Sequence, residues 1–513
     1  MAVALGDADA PAAKAPLVLV PDSPLVLVPD PPLVLVPDPL QAPARPAVVH
    51  SSTNGSATPS TDAAAPAAQN GSAQGGAAPA PVAASAAGSQ AEPKPKPAYP
   101  PPAETPTQEG PRGLRFDFNS GCRILLPERE HPWKIQLSDL DTGNILYQTE
   151  IKAGRVNSSK RYYVRFRLEV WQQGELLIRH DYSAADREVL IQFPVGTLGD
   201  TMGWFPYAVK FKELHRCRLT CGMAEKLIPL FRDAYPDIRF IPHEEIKPER
   251  YYATYSMGLF FDDKDCLHQP CDFRYVGLHR TAGYILGVDP TEVPPRIAIA
   301  DGGRPVAEPY VCIAVQSTTQ SKYWNNPGGW LEIVRFLKNA GYRVICIDQK
   351  TTHGTGLVWN HIPNGAEDET GDRPLTERAR WLKHAEFFVG LSSGLSWLAW
   401  AAGTPVVMIS GFSHPLNEFA TPYRVVNYHA CNGCWNDPHL RFDHKDFLWC
   451  PRHKDTPRQF ECTRLITVDH VKATIGRIPG FGRYATNVAA AASVAPPQSR
   501  APSPPPNKKR GAA

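Results

Sequence analysis

The segment EVLIQFPVGTLGDTMGWFPYAVKFKELH, residues 188–215, decides the fold. EVLIQF (188–193) is a short apolar run with the character of a buried strand. PVGTLGD (194–200) is a Gly-rich turn, and TMGWFPYAVKFKELH reads as an amphipathic helix in part. The chain then continues in the same rhythm. RCRLTCG (216–222) is a strand, MAEKLIPLFRDAY (223–235) a helix and DIRFIP (237–242) a strand. Strands alternating with helices over short loops predict a parallel sheet covered by helices.

Residues 291–309, TEVPPRIAIADGGRPVAEP, are rich in Pro and Gly and read as a linker. The alternation then restarts. YVCIAVQS (310–317), RVICID (343–348), EFFVGLS (386–392) and TPVVMIS (404–410) read as strands. GGWLEIVRFLKNAGY, closed by Gly341, then LTERARWLKHA and LSWLAWAAG read as the helices between them. The expected class is α/β, with one Rossmann-like domain over 188–295 and a second over 305–484, and a cleft between them.

Upstream, residues 113–187 alternate apolar and polar positions. Turn signals lie at Ser120-Gly121, Thr142-Gly143-Asn144 and Gln173-Gly174. This predicts a small antiparallel β module over 111–187, of five or six strands, as a barrel or sandwich.

Residues 1–110 hold 22 of the 53 prolines and one aromatic residue, Tyr99, and residues 485–513 hold six more prolines. Such composition cannot bury enough apolar surface to offset the entropy of ordering, so both segments read as disordered tails. The first contains PLVLVPD three times, at 16–22, 24–30 and 32–38. Each apolar run is too short for a signal peptide or a membrane span. The formal net charge is +3, which predicts no nucleic-acid partner. With no export signal and many thiols, the chain reads as cytoplasmic.

Ligands of open parallel sheets bind beyond the C-terminal strand ends, where helix N-termini present free N–H groups. Three loops fall at such positions: Pro194–Asp200, Gln316–Lys322 and Gly390–Leu395. Hydroxyls, glycines and a lysine beside a helix N-terminus suit a diphosphate. The loops also fit ordinary turn and cap chemistry. There is no P-loop and no GxGxxG after a strand, so a redox dinucleotide is not indicated. Asp200, the one acid of its loop, reads equally as the N-cap of the next helix or as a general base.

Cys431, Cys434, Cys450 and Cys462 stand in HACNGCW, LWCPR and FECTR. A CxxC with two further thiols close behind is a metal-ligand spacing. Gly433 supplies the bend, and an all-thiolate tetrahedron holds zinc or iron. The other seven cysteines read as core residues.

VGTLGDTMGWFP and GLSSGLSWLAWAAGTPVV, with STTQSKYW between them, resemble the heptosyltransferase-type GT-B glycosyltransferases. With the β module and the CxxC cluster, the chain resembles the bacterial autotransporter heptosyltransferases over about residues 113–480. The resemblance implies an inverting protein O-heptosyltransferase that uses ADP-heptose and the serines of an autotransporter adhesin passenger. It implies Asp200 as the acceptor-activating base, with Thr197, Leu198 and Gly199 in the acceptor-side loop. It implies Lys322 and Thr318 or Thr319 as donor ligands, and Ser392, Ser393 and Gly394 as the donor-binding turn. No catalytic divalent metal is implied. The four-cysteine site is implied to hold structural iron, and the assembly to be a large homo-oligomer, a ring of twelve being one form. The chain departs from the wider heptosyltransferase pattern of Asp-Thr-Gly and a later histidine: it has Ser392-Ser393-Gly394 and Trp397. Two other readings compete: transfer from another nucleotide sugar, and a non-enzymatic scaffold built on a metal knuckle.

Overall fold

A computed structural model describes residues 99–196 and 198–485 of the 513-residue chain. The PLVLVPD repeats, the C-terminal tail and Thr197 lie outside the described residues.

Two sheets carry the chemistry. The second is wholly parallel and six-stranded. It runs Glu367–Asp368, Arg343–Cys346, Tyr310–Ile313, Phe388–Leu391, Val406–Ile409, Arg424–Val425 from edge to edge. In chain order that is 3-2-1-4-5-6, the dinucleotide-fold order, whose switch point lies between the first and fourth strands. The strands read as apolar runs because both faces are covered: Val311, Ile313, Val344, Val389, Val407 and Ile409 are all buried.

The first sheet has Glu188–Gln192 flanked by Arg218–Gly222 and Ala253–Ser256, all parallel, with Arg239–Ile241 outermost. Its order is again 3-2-1-4 in the parallel part. Beyond Ala253–Ser256 the sheet is extended by Arg115–Asn119, in parallel, then Arg123–Leu126 and Gly154–Asn157, antiparallel. The antiparallel module therefore divides. Three of its strands continue the first sheet, and a separate four-stranded sheet, Ile145–Ile151, Trp133–Asp139, Phe166–Gln172 and Glu175–Asp181, packs against them. Phe118 stacks on Phe166 at 6.3 Å and meets Tyr182 edge-on at 5.0 Å, which closes the sandwich.

Several expectations need correction. Residues 99–109, assigned by composition to the tail, are held by polar contacts. The Ala103 carbonyl accepts from Arg123 Nη1 at 2.8 Å, the Pro106 carbonyl from Arg115 Nε at 2.8 Å, and Thr107 Oγ1 donates to the Tyr251 carbonyl at 3.0 Å. Gln108–Glu109 then pairs with Arg115–Asn119. Backbone pairing needs no apolar payload, so composition misses it. Of the seven cysteines read as core, Cys266 and Cys271 are only half-buried, while Cys122, Cys217, Cys221, Cys312 and Cys346 are buried. A hairpin of Thr352–Thr355 and Val358–His361 went unread, although Thr355-Gly356 is a turn signal and Gly356 adopts φ +55°. The 291–309 segment has no regular structure; it bonds Leu230 through Ala298 N (2.7 Å) and Thr376 through Ala300 N (3.2 Å).

No described helix is long and apolar enough to cross a membrane.

Candidate active site

The helix Leu198–His215 starts two residues before Asp200, which therefore sits in its first turn. The N-cap reading of Asp200 is thus replaced by a first-turn position, where a carboxylate still meets the positive end of the helix dipole. The helix is not amphipathic. It buries Thr201 through Ala208 and Phe211, because it lies between the two halves of the molecule. Its partner is Gly394–Ala401.

Glycines make that contact. A Cβ on Gly199 would come 2.8 Å from Trp397 Cδ1, and one on Gly203 would come 2.3 Å from Leu278 Cδ2 and 3.1 Å from Trp397 Cζ3. A Cβ on Gly394 would meet Leu198 Cβ at 3.0 Å. Trp397, where the wider pattern has a histidine, thus fills a notch cut by two glycines of the opposite half. The same contact brings the Gly390–Leu395 loop onto the Pro194–Asp200 loop. Gly196, at φ +89°, lets the latter turn.

The Gln316–Lys322 loop leaves the central strand of the second sheet. Its backbone is held by Asp348, whose carboxylate accepts from Val315 N at 2.7 Å and Gln316 N at 3.2 Å. Burial raises the Asp348 pKa to about 6, and those two N–H groups act against the rise. Thr319 is buried, and its hydroxyl donates to the Phe447 carbonyl at 2.9 Å. Thr318 is exposed. Of the two threonines, Thr318 is therefore the one whose hydroxyl faces solvent. The buried Ser317 Oγ has no hydrogen-bond partner among the described residues, which suits a ligand oxygen.

Lys322 ends the short helix Gln320–Lys322. Its Nζ lies 5.4 Å from the Phe412 ring centroid and 5.7 Å from that of Trp435. Burial pulls its pKa below the ordinary lysine value, and the negative charge of Asp200 acts against that pull. Lys322, from the second half, and Asp200, from the first, are thus within electrostatic reach of each other. His444 is held below the usual histidine value by burial and then by the Lys322 charge.

Ser392 is buried, with its Oγ 3.4 Å from Ser413 Oγ. Ser393 occupies the N-cap position of Gly394–Ala401 but makes no side-chain cap bond. That helix follows the fourth strand, so its N-terminus stands beside the switch point of the second sheet. Ser317, Asp348 and the Phe412–Trp435 pair were missed from the sequence. Only the apolar run ending in ICID marked Asp348 as a strand-end acid.

Cys431, Cys434, Cys450 and Cys462 lie within electrostatic reach of one another. Burial, then the neighbouring Cys431, pushes Cys434 up to about 12; burial, then Cys434, Cys450 and Cys431, pushes Cys462 up to about 12. Gly433, at φ +67°, makes the expected bend. Cys431, His453 and Glu461 also bring one donor atom each within 4.8 Å of one another, so two non-cysteine donors stand beside the cluster. Glu461 is already engaged by Arg458 at 2.6 Å and by the Cys431 N–H at 3.1 Å. Among the described residues the donor set that could hold a metal ion is Cys431, His453 and Glu461, with the Arg452 guanidinium Nη1 at 3.6 Å from Cys431 Sγ.

The 431–463 segment braces the loops that surround Lys322. Gly433 N donates to the Gly411 carbonyl at 2.9 Å and Trp435 N to the Phe412 carbonyl at 3.1 Å. Gln320 N donates to the Phe447 carbonyl at 2.9 Å, and Asn325 Nδ2 to Thr463 Oγ1 at 2.8 Å.

Comparison with known proteins agrees with this architecture. Residues 110–174 match the model "Glycosyltransferase TibC, N-terminal domain", and residues 285–445 match "Glycosyltransferase family 9 (heptosyltransferase)". The chain is 58% identical over 379 residues to the autotransporter heptosyltransferase BAHTCr of Citrobacter rodentium, covering 74% of this chain and 92% of that one. It is 55% identical to the autotransporter heptosyltransferase TibC of Escherichia coli, over 74% of this chain and 92% of TibC. A crystal structure of TibC, described as a dodecameric iron-containing heptosyltransferase in complex with ADP-D-beta-D-heptose, matches with a TM-score of 0.71 over 74% of this chain and 98% of that one. It is also 50% identical, over 75% of this chain and 90% of the relative, to BimC of Burkholderia thailandensis, described as an inactive autotransporter heptosyltransferase. Two Rossmann-like halves in the GT-B arrangement, the appended β module and these identities together place the chain in one family: it belongs to the autotransporter heptosyltransferases.

Proposed function

We propose that this chain is a cytoplasmic, inverting protein O-heptosyltransferase that moves heptose from ADP-heptose to serines of an autotransporter adhesin passenger. The observation that supports it is that Asp200, past the first strand of one sheet, and Lys322, past the first strand of the other, lie within electrostatic reach of each other. In this reading Asp200 takes the proton of the acceptor hydroxyl, which attacks the anomeric carbon from the face opposite the leaving group. Lys322, the Thr318 and Ser393 hydroxyls and the N–H groups at Gly394 meet the charge that develops on the departing diphosphate. The Leu198–Gly199 turn lines the acceptor side. Ser392 and Ser393 replace an acid by hydroxyls, so donor contact there is by hydrogen bonding alone.

The four thiolates, Cys431, Cys434, Cys450 and Cys462, would hold iron as a structural centre, with zinc as the alternative. Assembly into a large homo-oligomer follows the TibC precedent. The relative described as inactive favours one second reading, a silent member of the family that binds donor without transfer.

The test is incubation of the purified protein with ADP-D-beta-D-heptose and a serine-rich passenger peptide, read by intact mass. Heptose on the peptide with wild type, and none with Asp200→Asn, is expected. ADP binding without transfer identifies the silent member.

A further inference from the structure

The strand Ala253–Ser256 of the first half leads into a loop that reaches the second half. The loop holds its own shape. The Asp263 carboxylate accepts from the N–H groups of Leu267, His268 and Gln269 at 2.8, 2.8 and 3.0 Å, and Gln269 Nε2 donates to the Phe260 carbonyl at 2.8 Å. The loop ends on Asp272, which caps the short helix Phe273–Val276 by accepting from Arg274 N at 2.9 Å.

Arg274 is where the two halves are tied. Its side chain is 10% exposed. The Asp272 carboxylate accepts from Nε at 3.0 Å and from Nη2 at 2.6 Å, which balances the buried charge and fixes the plane of the fork. Nη2 also donates to the Phe261 carbonyl at 3.3 Å, in its own half. Nη1 donates to the Pro438 carbonyl at 3.1 Å, in the other. The Arg274 carbonyl accepts from Asn436 Nδ2 at 3.2 Å, and Asn436 Oδ1 accepts from His414 N at 2.9 Å. One residue of the first half is thereby bonded to the 434–438 segment and, through Asn436, to the loop that follows Val406–Ile409.

Those two segments carry the rings nearest the Lys322 ammonium, Trp435 and Phe412. The rings lie 5.5 Å apart, and Trp435 N donates to the Phe412 carbonyl at 3.1 Å. Trp435 Nε1 is buried with no hydrogen-bond partner among the described residues. No polar bond therefore orients the indole. Its place is set by the backbone on either side and by the rings packed on it. From the first half these are Phe261 at 5.4 Å and Phe273 at 6.0 Å. Arg274 governs both influences: it bonds the Phe261 carbonyl, it follows Phe273, and it grips residues 436 and 438.

We propose that Arg274 is a positioning residue for the donor site. Reaching across from the first half, it holds the Phe412–Trp435 pair and so sets where the Lys322 ammonium meets a nucleoside diphosphate. The proposal rests on the reading of Lys322 as a donor ligand.

The test is a double-mutant cycle on ADP affinity in the full-length protein, with Arg274→Gln, Lys322→Ala and the two combined. Each variant is read by calorimetric titration with ADP and by a ligand-free melt. Arg274→Gln should weaken ADP binding about tenfold, a coupling common within one bonded network. It should raise the donor KM and leave kcat at saturating donor unchanged. Arg274→Lys keeps the charge beside Asp272 but loses the fork, and should fall between. In the Lys322→Ala background, Arg274→Gln should cause no further loss. Wild-type affinity in Arg274→Gln overturns the proposal. An equal loss with and without Lys322 overturns it too, since Arg274 would then act by another route. If Arg274→Gln does not fold, Asn436→Ala cuts the same tie from the other side and carries the cycle; insoluble protein in both overturns the proposal and leaves Arg274 a residue of the fold alone. Wild-type ADP affinity in Lys322→Ala removes the donor reading of Lys322 and the proposal together, whereas failure of the Arg274 arm alone leaves that reading standing.

Discussion

Lys322→Ala separates donor binding from folding. The ammonium lies over two rings and within reach of Asp200, and burial disfavours its charged form. A charge-assisted contact to a phosphate oxygen contributes about 1.5–3 kcal/mol. At about 1.4 kcal/mol per factor of ten, its loss weakens ADP binding by roughly 10- to 150-fold. The effect on the ligand-free fold is smaller because two contributions oppose. Losing the cation–ring contacts removes about 0.5–2 kcal/mol. Removing a desolvated charge returns part of it. The melting temperature without ligand should therefore move by no more than about 4 °C. Calorimetric titration with ADP and a thermal melt of the same sample decide the matter, and Lys322→Arg should recover part of the affinity. Wild-type ADP affinity in Lys322→Ala would put the phosphate site elsewhere. A melting temperature lowered by about 10 °C or more would make Lys322 a structural residue first.

Asp200→Asn should cut transfer about a hundredfold or more. It should leave ADP affinity near wild type, with about 0.3–1 kcal/mol of stability lost from the helix dipole; near-normal turnover would remove the base assignment. Cys434→Ser should lower iron content by elemental analysis together with ADP affinity, and unchanged affinity in iron-free protein would sever the knuckle from the donor site. Asp348 holds a proton in the folded chain between its ordinary 3.8 and about 6 that the unfolded chain has released, so its contribution to stability falls as pH rises through that window. Its grip on Val315 N and Gln316 N strengthens in the same direction, so the donor KM should rise below about pH 6. Asp348→Asn should flatten that dependence, and a KM flat with pH in wild type refutes it. Removing residues 1–98 should leave transfer to a passenger peptide intact. Removing 1–106 also strips the Tyr99 bond to the Met257 carbonyl and takes the Ala103 and Pro106 carbonyls from Arg123 and Arg115, which should lower the melting temperature measurably; equal melts would refute the anchoring role of that segment.

The inner strands Glu188–Gln192, Tyr310–Ile313, Arg343–Cys346, Phe388–Leu391 and Val406–Ile409 were legible as apolar runs, whereas Ala253–Ser256, Glu367–Asp368 and Arg424–Val425, short or polar, went unread. Gly341 and Gly433 announced their bends. What escaped was what depends on partners distant in sequence. Residues 201–215 read as an amphipathic helix, yet Thr201 through Ala208 are all buried, because the partner Gly394–Ala401 covers that face. Gly199 and Gly203 look like turn and helix glycines until Trp397 is seen against them. Thr319 reads as a ligand hydroxyl until the Phe447 carbonyl takes it. The division of the antiparallel module between two sheets is likewise invisible to alternation, because a strand keeps its period of two whichever sheet it joins.

The cysteine knuckle is the clearest case of a long-range role. Its cysteines lie outside the switch point, yet its backbone walls the loops around Lys322. Phe447 receives both the Thr319 hydroxyl and the Gln320 N–H, Trp435 pairs with Phe412 beneath Lys322, and Trp324 Nε1 donates to the Ile466 carbonyl at 3.0 Å just past Cys462. These contacts fix Lys322 in place through the 431–466 segment. The second sheet, by contrast, has an apolar core of Val311, Ile313, Val344 and Val407, to which the knuckle adds only the partly buried Phe447. Loss of the metal ion should therefore loosen the phosphate site before it melts the sheet. ADP affinity is then the more sensitive reporter of the centre, and the melting temperature the less sensitive one.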